Sequence, residues 1–180
     1  MKILILFIIT TILYANSEKR MYNLYQHKKF SKACDTGFYN ISKYSKNENF
    51  VSLYAFSCLK ADQIDRLALA ITKLKKTKES RKNAVYFSII LMQKKLLYYA
   101  LLDGYNLSKF NFPSTKHIIS KVFDFYAQLN IDKVQKYYIF QDKNDKLLKY
   151  KLYLLDTKDL KKMIIEEIYN NKLIKKHSYW

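Results

Sequence analysis

The longest apolar stretch of the chain lies between Ser80 and Gly104. From Ala84 to Leu102, apolar residues fall on nearly every side of a 3.6-residue wheel, which predicts a core helix buried on several faces. We expect Ser80 to cap the first turn and Gly104 to end the helix in the left-handed conformation. The polar interruption at residues 93–95 argues against a membrane span, because a span needs about twenty unbroken apolar residues.

Apolar residues recur at helical spacing on both sides of this stretch. The segments before it predict four helices, over Glu18–His27, Phe30–Tyr44, Asn49–Ala61 and Asp62–Lys76. A further helix is predicted after it, from a cap at Ser114 to Leu129. Because the connections are short, neighbouring helices are expected to pack antiparallel.

Several positions in these helices recur at an offset of 34 residues, namely Leu24 and Cys58, Tyr25 and Leu59, Phe30 and Ile64, and Ala33 and Leu67. Over residues 17–113 the chain therefore resembles the tetratricopeptide and Sel1-like helical repeats, with Pro113 at the position of a closing proline. The resemblance implies a stacked helical scaffold that binds proteins or peptides in its groove.

After Lys136 the period of the apolar residues changes from helical to two, which predicts β-strands. Short polar turns separate four such runs: Tyr137–Gln141, Leu147–Leu155, Lys161–Tyr169 and Leu173–Trp180. Short polar connections predict an antiparallel meander. The predicted fold class is therefore α+β: stacked antiparallel, repeat-like helices followed by a four-stranded antiparallel β-meander.

Folding each predicted hairpin about its turn gives a register. It sets Tyr137 opposite Tyr150 and Ile139 opposite Leu148, then Tyr150 opposite Ile165 and Leu152 opposite Met163. The same face contains Leu154, Ile174 and Trp180, while the other face aligns Lys149, Glu166 and Lys175. We expect the apolar face to pack on the helices, although a partner is the alternative.

The two cysteines lie on the inward stripes of consecutive predicted helices. Cys34 and Cys58 are equidistant from the turn at Lys46, so an antiparallel hairpin places them at the same height. In an oxidising compartment such a pair forms a disulfide, which is the preferred interpretation. The alternative is two small buried thiols that pack as apolar groups.

The first residues have the pattern of an export signal. Lys2 precedes the apolar run Ile3–Leu13, and Ala15 is a small residue at a plausible cleavage point. We therefore expect a signal peptide at residues 1–15, a helical-repeat-like domain at 16–131 and the sheet at 132–180. Cleavage would leave no transmembrane segment and a periplasmic or secreted protein, and an uncleaved signal anchor is the alternative.

The formal net charge is +18, supplied mainly by lysine. The densest basic segment, Lys73–Lys82, offers six candidate anion-binding residues, Lys73, Lys75, Lys76, Lys78, Arg81 and Lys82. They could contact an anionic envelope polymer or lipid headgroups. A solvated loop, in a composition typical of an AT-rich genome, is the alternative. Nucleic acid is not an expected partner, because export removes the chain from the genome.

No pattern of catalytic or metal-binding residues is evident in the sequence. His27, His117 and His177 fall in separate elements without a second ligand at metal spacing, and no cofactor-binding motif is present. His177, placed near Glu166 and Lys175 on the polar face of the predicted sheet, resembles the acid–base–lysine sites of small secreted nucleases.

The leading functional prediction is a non-catalytic exported scaffold that binds another envelope protein. The alternative is a basic protein that binds an anionic envelope polymer or a membrane surface. A small secreted nuclease is the third hypothesis.

Overall fold

Helices precede strands along the chain, which confirms the predicted α+β class. The structure is a computed structural model that describes residues 17–129 and 135–180. The predicted signal peptide at residues 1–15 lies outside the described residues. The helices are α1 (residues 17–26), α2 (Phe30–Asn40), α3 (Glu48–Lys60), α4 (Leu67–Ile71), α5 (Lys78–Asp103) and α6 (Ile118–Ala127). The strands are β1 (Tyr137–Gln141), β2 (Leu148–Asp156), β3 (Lys161–Tyr169) and β4 (Lys172–Tyr179).

The chain divides into two compact units within α5, between Ser88 and Ile89. The amino-terminal unit contains α1 to α4 and the first turns of α5. The carboxy-terminal unit contains the rest of α5, α6 and the sheet. The change from helices to strands occurs between α6 and β1, within the carboxy-terminal unit.

In the amino-terminal unit, α2 and α3 form the predicted hairpin around the cysteine pair. The Cα atoms of Cys34 and Cys58 are 4.7 Å apart, and their Sγ atoms are at the disulfide distance of 2.03 Å. The predicted pairing is thus confirmed. Closing a loop across a sequence separation of 24 residues contributes about 3 kcal/mol to stability in the chain-entropy model.

Gly37 permits the close approach of these helices. A Cβ atom at this position would lie 2.5 Å from Cδ2 of Tyr54 and 2.9 Å from Sδ of Met21. Both neighbours are fully buried, and the Tyr54 hydroxyl donates to the carbonyl of Arg66 at 3.0 Å. Neither side chain can therefore move aside easily.

The helix predicted over Asp62–Lys76 is much shorter in the structure. Asp62 adopts a positive φ of 60° directly after α3, and a 3₁₀ turn over Ile64–Arg66 precedes the five residues of α4. The prediction was wrong at the start because of the positive φ of Asp62, and at the end because the backbone N–H groups of Lys75 and Lys76 donate to the side chain of Glu48 instead of to preceding carbonyls.

The end of α5 is as predicted, but its start is not. Gly104 has a φ of 71°, the left-handed conformation that ends a helix. At the other end, the Thr77 hydroxyl oxygen accepts the backbone N–H of Ser80 at 3.0 Å. Thr77 therefore caps the helix, and the predicted cap, Ser80, lies within the first turn.

By length and composition alone, α5 is apolar enough to cross a membrane. A core helix of a soluble protein meets the same criterion. At its centre Gln93 and Lys94 are completely buried, and the amide of Gln93 donates to the carbonyl of Pro113 at 3.1 Å. These polar contacts within the protein agree with the predicted core helix.

Helix α6 packs against the sheet in the carboxy-terminal unit. Its ring contacts include Tyr126 with Tyr138, whose centroids are 5.0 Å apart, and Phe125 with Phe140, at 5.6 Å. The helix begins at Ile118, after His117, and the predicted cap Ser114 instead donates its hydroxyl to Asp124. The expectation that one face of the sheet packs on a helix is confirmed.

The first hairpin has a different register from the predicted one. Tyr137 pairs with Tyr153 and Phe140 with Tyr150. The offset of three residues moves β1 to the opposite face, since side chains alternate along a strand. Consequently Tyr138 and Phe140 are buried, whereas Tyr137 and Ile139 are exposed.

Two aspartates explain this offset. Asp142 accepts the N–H of Asn144, and Asp145 accepts the N–H of Leu147, both at 2.9 Å. Each forms a local turn of its own. The connection therefore takes up more residues than the four assumed from the sequence.

The second hairpin is offset by two residues, so its faces are preserved. Leu152 pairs with Ile165, and Leu154 pairs with Met163. The buried residues Tyr150, Leu152, Met163 and Ile165 all belong to the predicted apolar face. For this hairpin the predicted buried face is correct, but the predicted pairing of residues is not.

A bulge between Glu167 and Ile168 reverses the predicted orientation of β4. The turn at Asn170 and Asn171 is the expected one, with both residues at positive φ, as a two-residue hairpin turn requires. Beyond the bulge the pairing shifts by one residue. As a result Ile174 and Trp180, predicted to be inside, are more than half exposed, and His177 and Tyr179 are buried.

The outer face of the sheet has the predicted alternation of charge, but with different lysines. Lys151, Glu166 and Lys176 align across three neighbouring strands, in place of the predicted Lys149 and Lys175 around Glu166. Tyr153 also donates its hydroxyl to Glu166 at 2.8 Å.

We predict that Gly37→Ala destabilises the protein by about 1–3 kcal/mol, because the added methyl group must displace buried side chains. Urea unfolding would show a lower midpoint with an unchanged slope. Lys32→Ala, an exposed substitution on the same helix, should change stability by less than about 0.5 kcal/mol. Equal stability of the Gly37→Ala variant and the wild type would contradict the close packing of α2 on α3.

Candidate anion-binding site

The six predicted anion-binding residues lie between α4 and the second turn of α5, all in the amino-terminal unit. Lys73 is half-buried, and Leu74 anchors the segment in the core. The other five basic residues are exposed: Lys75, Lys76, Lys78, Arg81 and Lys82. The structure thus brings the predicted residues together on one short segment.

A buried carboxylate holds this segment in place. Glu48, in the first turn of α3, accepts the backbone N–H groups of Lys75 at 2.6 Å, Lys76 at 2.7 Å and Thr77 at 3.2 Å. Successive N–H groups that converge in this way form a binding site for an anion. Here the anion is a side chain of the protein itself.

The environment of Glu48 keeps its carboxylate ionised. Burial raises the pKa, but the hydrogen bonds from Lys76, Lys75, Ser80 and Thr77 outweigh burial and lower the pKa from 4.5 to about 2. The carboxylate therefore carries its charge throughout the physiological pH range.

Arg81 also binds the backbone of the segment. Its guanidinium donates from Nη1 to the carbonyl oxygens of Lys76 at 2.8 Å and Lys75 at 3.2 Å. Arg81, predicted as an anion-binding residue, thus already donates to the backbone of the segment. Its first role is to hold the segment.

The remaining ammonium groups are exposed to solvent. Lys82 lies 4.0 Å from Glu79 in an exposed pair, which is a weak interaction. Within residues 17–129 and 135–180, no carboxylate lies at ion-pair distance from Lys75, Lys76 or Lys78. Four lysines with little local neutralisation can therefore attract an external anion.

Glu48 was not predicted as part of this site. A signal did exist, because Asn47 and Glu48 form a typical helix start, and Asn47 does accept the N–H of Phe50 at 3.1 Å. An acidic residue in that position is expected to interact with its own helix. Nothing in the spacing indicates that it reaches a segment 27 residues further along the chain.

The nuclease hypothesis placed His177 on the polar face of the sheet beside Glu166 and Lys175, and this placement is wrong. His177 is only 3% exposed and lies on the inner face, where its Nε2 is 2.9 Å from Oε1 of Glu167. The hydrogen bond with His177 lowers the pKa of Glu167, against the effect of burial. The imidazole therefore has a structural partner and little access to a substrate.

A neighbouring polar cluster joins α6 to the sheet. Tyr150 donates its hydroxyl to Asp142 at 2.5 Å, and the Lys121 ammonium lies 3.4 Å from the same carboxylate. The hydrogen bond from Tyr150 lowers the pKa of Asp142 despite burial. These contacts satisfy polar groups beneath the sheet.

Metal coordination has no candidate in the described part of the chain, where no three His, Cys, Asp or Glu residues are grouped suitably. Comparison of the chain with protein-family models, curated proteins and solved structures gave no match. The resemblance to helical repeats accordingly stays a prediction.

We predict that Glu48 makes the protein sensitive to acid. Its folded pKa of about 2 is below the ordinary 4.5, so its contribution is fully present above pH 4.5 and is lost as the pH falls towards 2. In Glu48→Gln this part of the pH dependence should disappear, as measured by urea unfolding at a series of pH values.

Glu79→Gln provides the matched control, since Glu79 is an exposed acid in the first turn of α5. This variant should keep the pH dependence of the wild type. If Glu48→Gln and the wild type lose stability in parallel between pH 4.5 and 2, the assignment of the lowered pKa is wrong.

Proposed function

We propose that this protein is a non-catalytic exported binding protein whose ligand is an anionic, phosphate-bearing polymer. The observation that carries the proposal is the exposed group Lys75, Lys76, Lys78 and Lys82 on a segment held by Glu48. A fixed backbone reduces the entropy that must be lost when the lysines bind.

The geometry favours a polymer over a single phosphate ion. A site for one phosphate usually offers converging backbone N–H groups. In this segment those donors are occupied by Glu48, so the remaining groups are separate, flexible ammonium ions. Several point charges along an exposed segment suit an extended polyanion, which gains by releasing its counterions.

A second basic surface in the same unit supports this choice. Lys19, Arg20, His27 and Lys29 line an open cavity of about 500 Å³ along α1. Like-charged surfaces on one unit increase its attraction for an anionic partner at a distance.

The expectation of a protein partner stays a prediction. The salt dependence of binding distinguishes a protein partner from the proposed polyanion. An apolar protein interface is less sensitive to ionic strength than contacts between exposed charges. An acidic polypeptide such as polyglutamate tests whether charge alone, without phosphate, is enough.

Export is part of the proposal. It is supported by the signal-like pattern of residues 1–15 and by the disulfide distance between Cys34 and Cys58, since disulfides persist in oxidising compartments.

We predict that replacing Lys75, Lys76, Lys78 and Lys82 together by glutamine weakens binding to long-chain inorganic polyphosphate by roughly 1,000-fold at low salt, because about 1 kcal/mol is lost for each of the four lysines. Isothermal titration at several salt concentrations would measure this. The slope of log affinity against log salt should also become shallower, by about 3 for four contacts.

The control replaces four exposed lysines of the carboxy-terminal unit, Lys143, Lys146, Lys158 and Lys172, by glutamine. This control variant has the same net charge as the first variant but should keep most of the wild-type affinity for polyphosphate. Equal losses in the two variants would indicate attraction by net charge only. Wild-type binding that does not weaken as salt rises would rule out the electrostatic proposal.

We also predict that protein recovered from the envelope fraction of its native cell begins at Asn16 and contains no reactive thiol. Intact mass before and after alkylation, with and without reductant, measures both properties. A retained Met1 together with two thiols that react without reductant would contradict export to an oxidising compartment.

A further inference from the structure

A second concave site lies in the carboxy-terminal unit, outside the lysine-rich segment. A cavity of about 480 Å³ opens where the connection from α5 to α6 meets α6 and the β1–β2 turn. Its volume falls in the range of small-molecule sites. The connection, residues 104–117, is unusually long for a segment without regular structure, and such loops are often functional.

Aromatic rings form one wall of this cavity. Phe110 is exposed and stacks on Phe112, with ring centroids 5.4 Å apart and planes at 13°. Phe112 meets the buried Phe123 of α6 edge to face, at 5.6 Å. The inner ring is therefore fixed by the core. The outer ring, which also lies beside Tyr105 with centroids 5.9 Å apart and planes at 39°, presents its exposed part to a ligand.

Polar groups lie around the rings. Asn111 and Gln128 contribute exposed amides to the lining. Asp124 contributes a carboxylate that accepts the Ser114 hydroxyl, and Lys143 adds one cation. Amides, a hydroxyl and a carboxylate can donate to and accept from the alcohol groups of a ligand.

This combination fits a sugar. A pyranose ring has an apolar face of C–H groups, which packs on an aromatic ring, and hydroxyl groups at its edge, which require polar partners. Sites for single-stranded nucleic acid instead combine stacking rings with a basic groove. Here the Asp124 carboxylate offsets the single Lys143 charge, which disfavours a phosphate backbone.

We infer that this cavity binds an uncharged saccharide, with Phe110 as the stacking platform and Asn111, Asp124 and Gln128 as hydroxyl partners. The inference does not rest on the proposed polyanion binding, because it concerns other residues in the other unit.

The test is ligand-observed NMR titration of the full-length protein with three probes: the β-1,4 and α-1,4 trimers of glucose and the β-1,4 trimer of N-acetylglucosamine. At least one should bind saturably, with a Kd below about 10 mM, and with an affinity that does not change with salt. Phe110→Ala should weaken that binding by roughly tenfold.

Gln128→Ala provides a second variant, because it alters an exposed helix residue and leaves the aromatic wall intact. It should weaken binding by roughly threefold or more, from the loss of a hydrogen bond. Tyr39→Ala is the control. It removes an exposed aromatic ring from α2, in the amino-terminal unit, and should keep the wild-type affinity.

Three results would overturn the inference. The first is no saturable binding of any of the three trimers. The second is wild-type affinity in both Phe110→Ala and Gln128→Ala. The third is tight binding of an oligothymidylate that Phe110→Ala abolishes, which would assign the rings to nucleobase stacking.

Discussion

The carboxylate of Glu48 is the interaction on which the amino-terminal unit depends. It accepts three consecutive backbone N–H groups, from Lys75 to Thr77, just before α5 begins. These donors precede the first turn of α5, which Thr77 caps, and hydrogen bonds to a charged acceptor are stronger than those to a neutral one. Glu48 therefore connects the first turn of α3 to the entry of α5, and the lysine side chains of the segment remain exposed.

This arrangement links stability to the proposed function. The carboxylate fixes the stretch of backbone that carries Lys75 and Lys76. Because the backbone donors are occupied, the segment does not resemble a phosphate-binding loop, and only its side chains are available. The proposed function uses only these exposed ammonium groups.

Most of the helices and the fold class could be predicted from the sequence, since they depend on local periodicity, but the helix predicted over Asp62–Lys76 is reduced to a 3₁₀ turn and the short α4. The cysteine pair could be predicted because one turn sets the height of Cys34 and Cys58. The register of the sheet could not, because turns at Asp142 and Asp145 and a bulge after Glu167 each move whole strands by a few residues. An odd shift exchanges the two faces, which is why the placements of Ile174, Trp180 and His177 were wrong.

The candidate sites also differ in how far the sequence could predict them. The lysines were evident from their density along the chain, a local property. Glu48 and the cavity beside Phe110 depend on contacts between segments far apart in sequence, and single-sequence patterns carry little information about such contacts. The long aromatic connection between α5 and α6 was a signal that could have indicated the second site.

Amide hydrogen exchange tests the role of Glu48 most directly. At about pH 6 the amides of Lys75, Lys76 and Thr77 should exchange slowly in the wild type, because each is hydrogen-bonded to the carboxylate. In Glu48→Ala these three amides should lose protection while those in the middle of α3 keep it. Exchange of the three amides at the rate of an unstructured chain in the wild type would contradict the account.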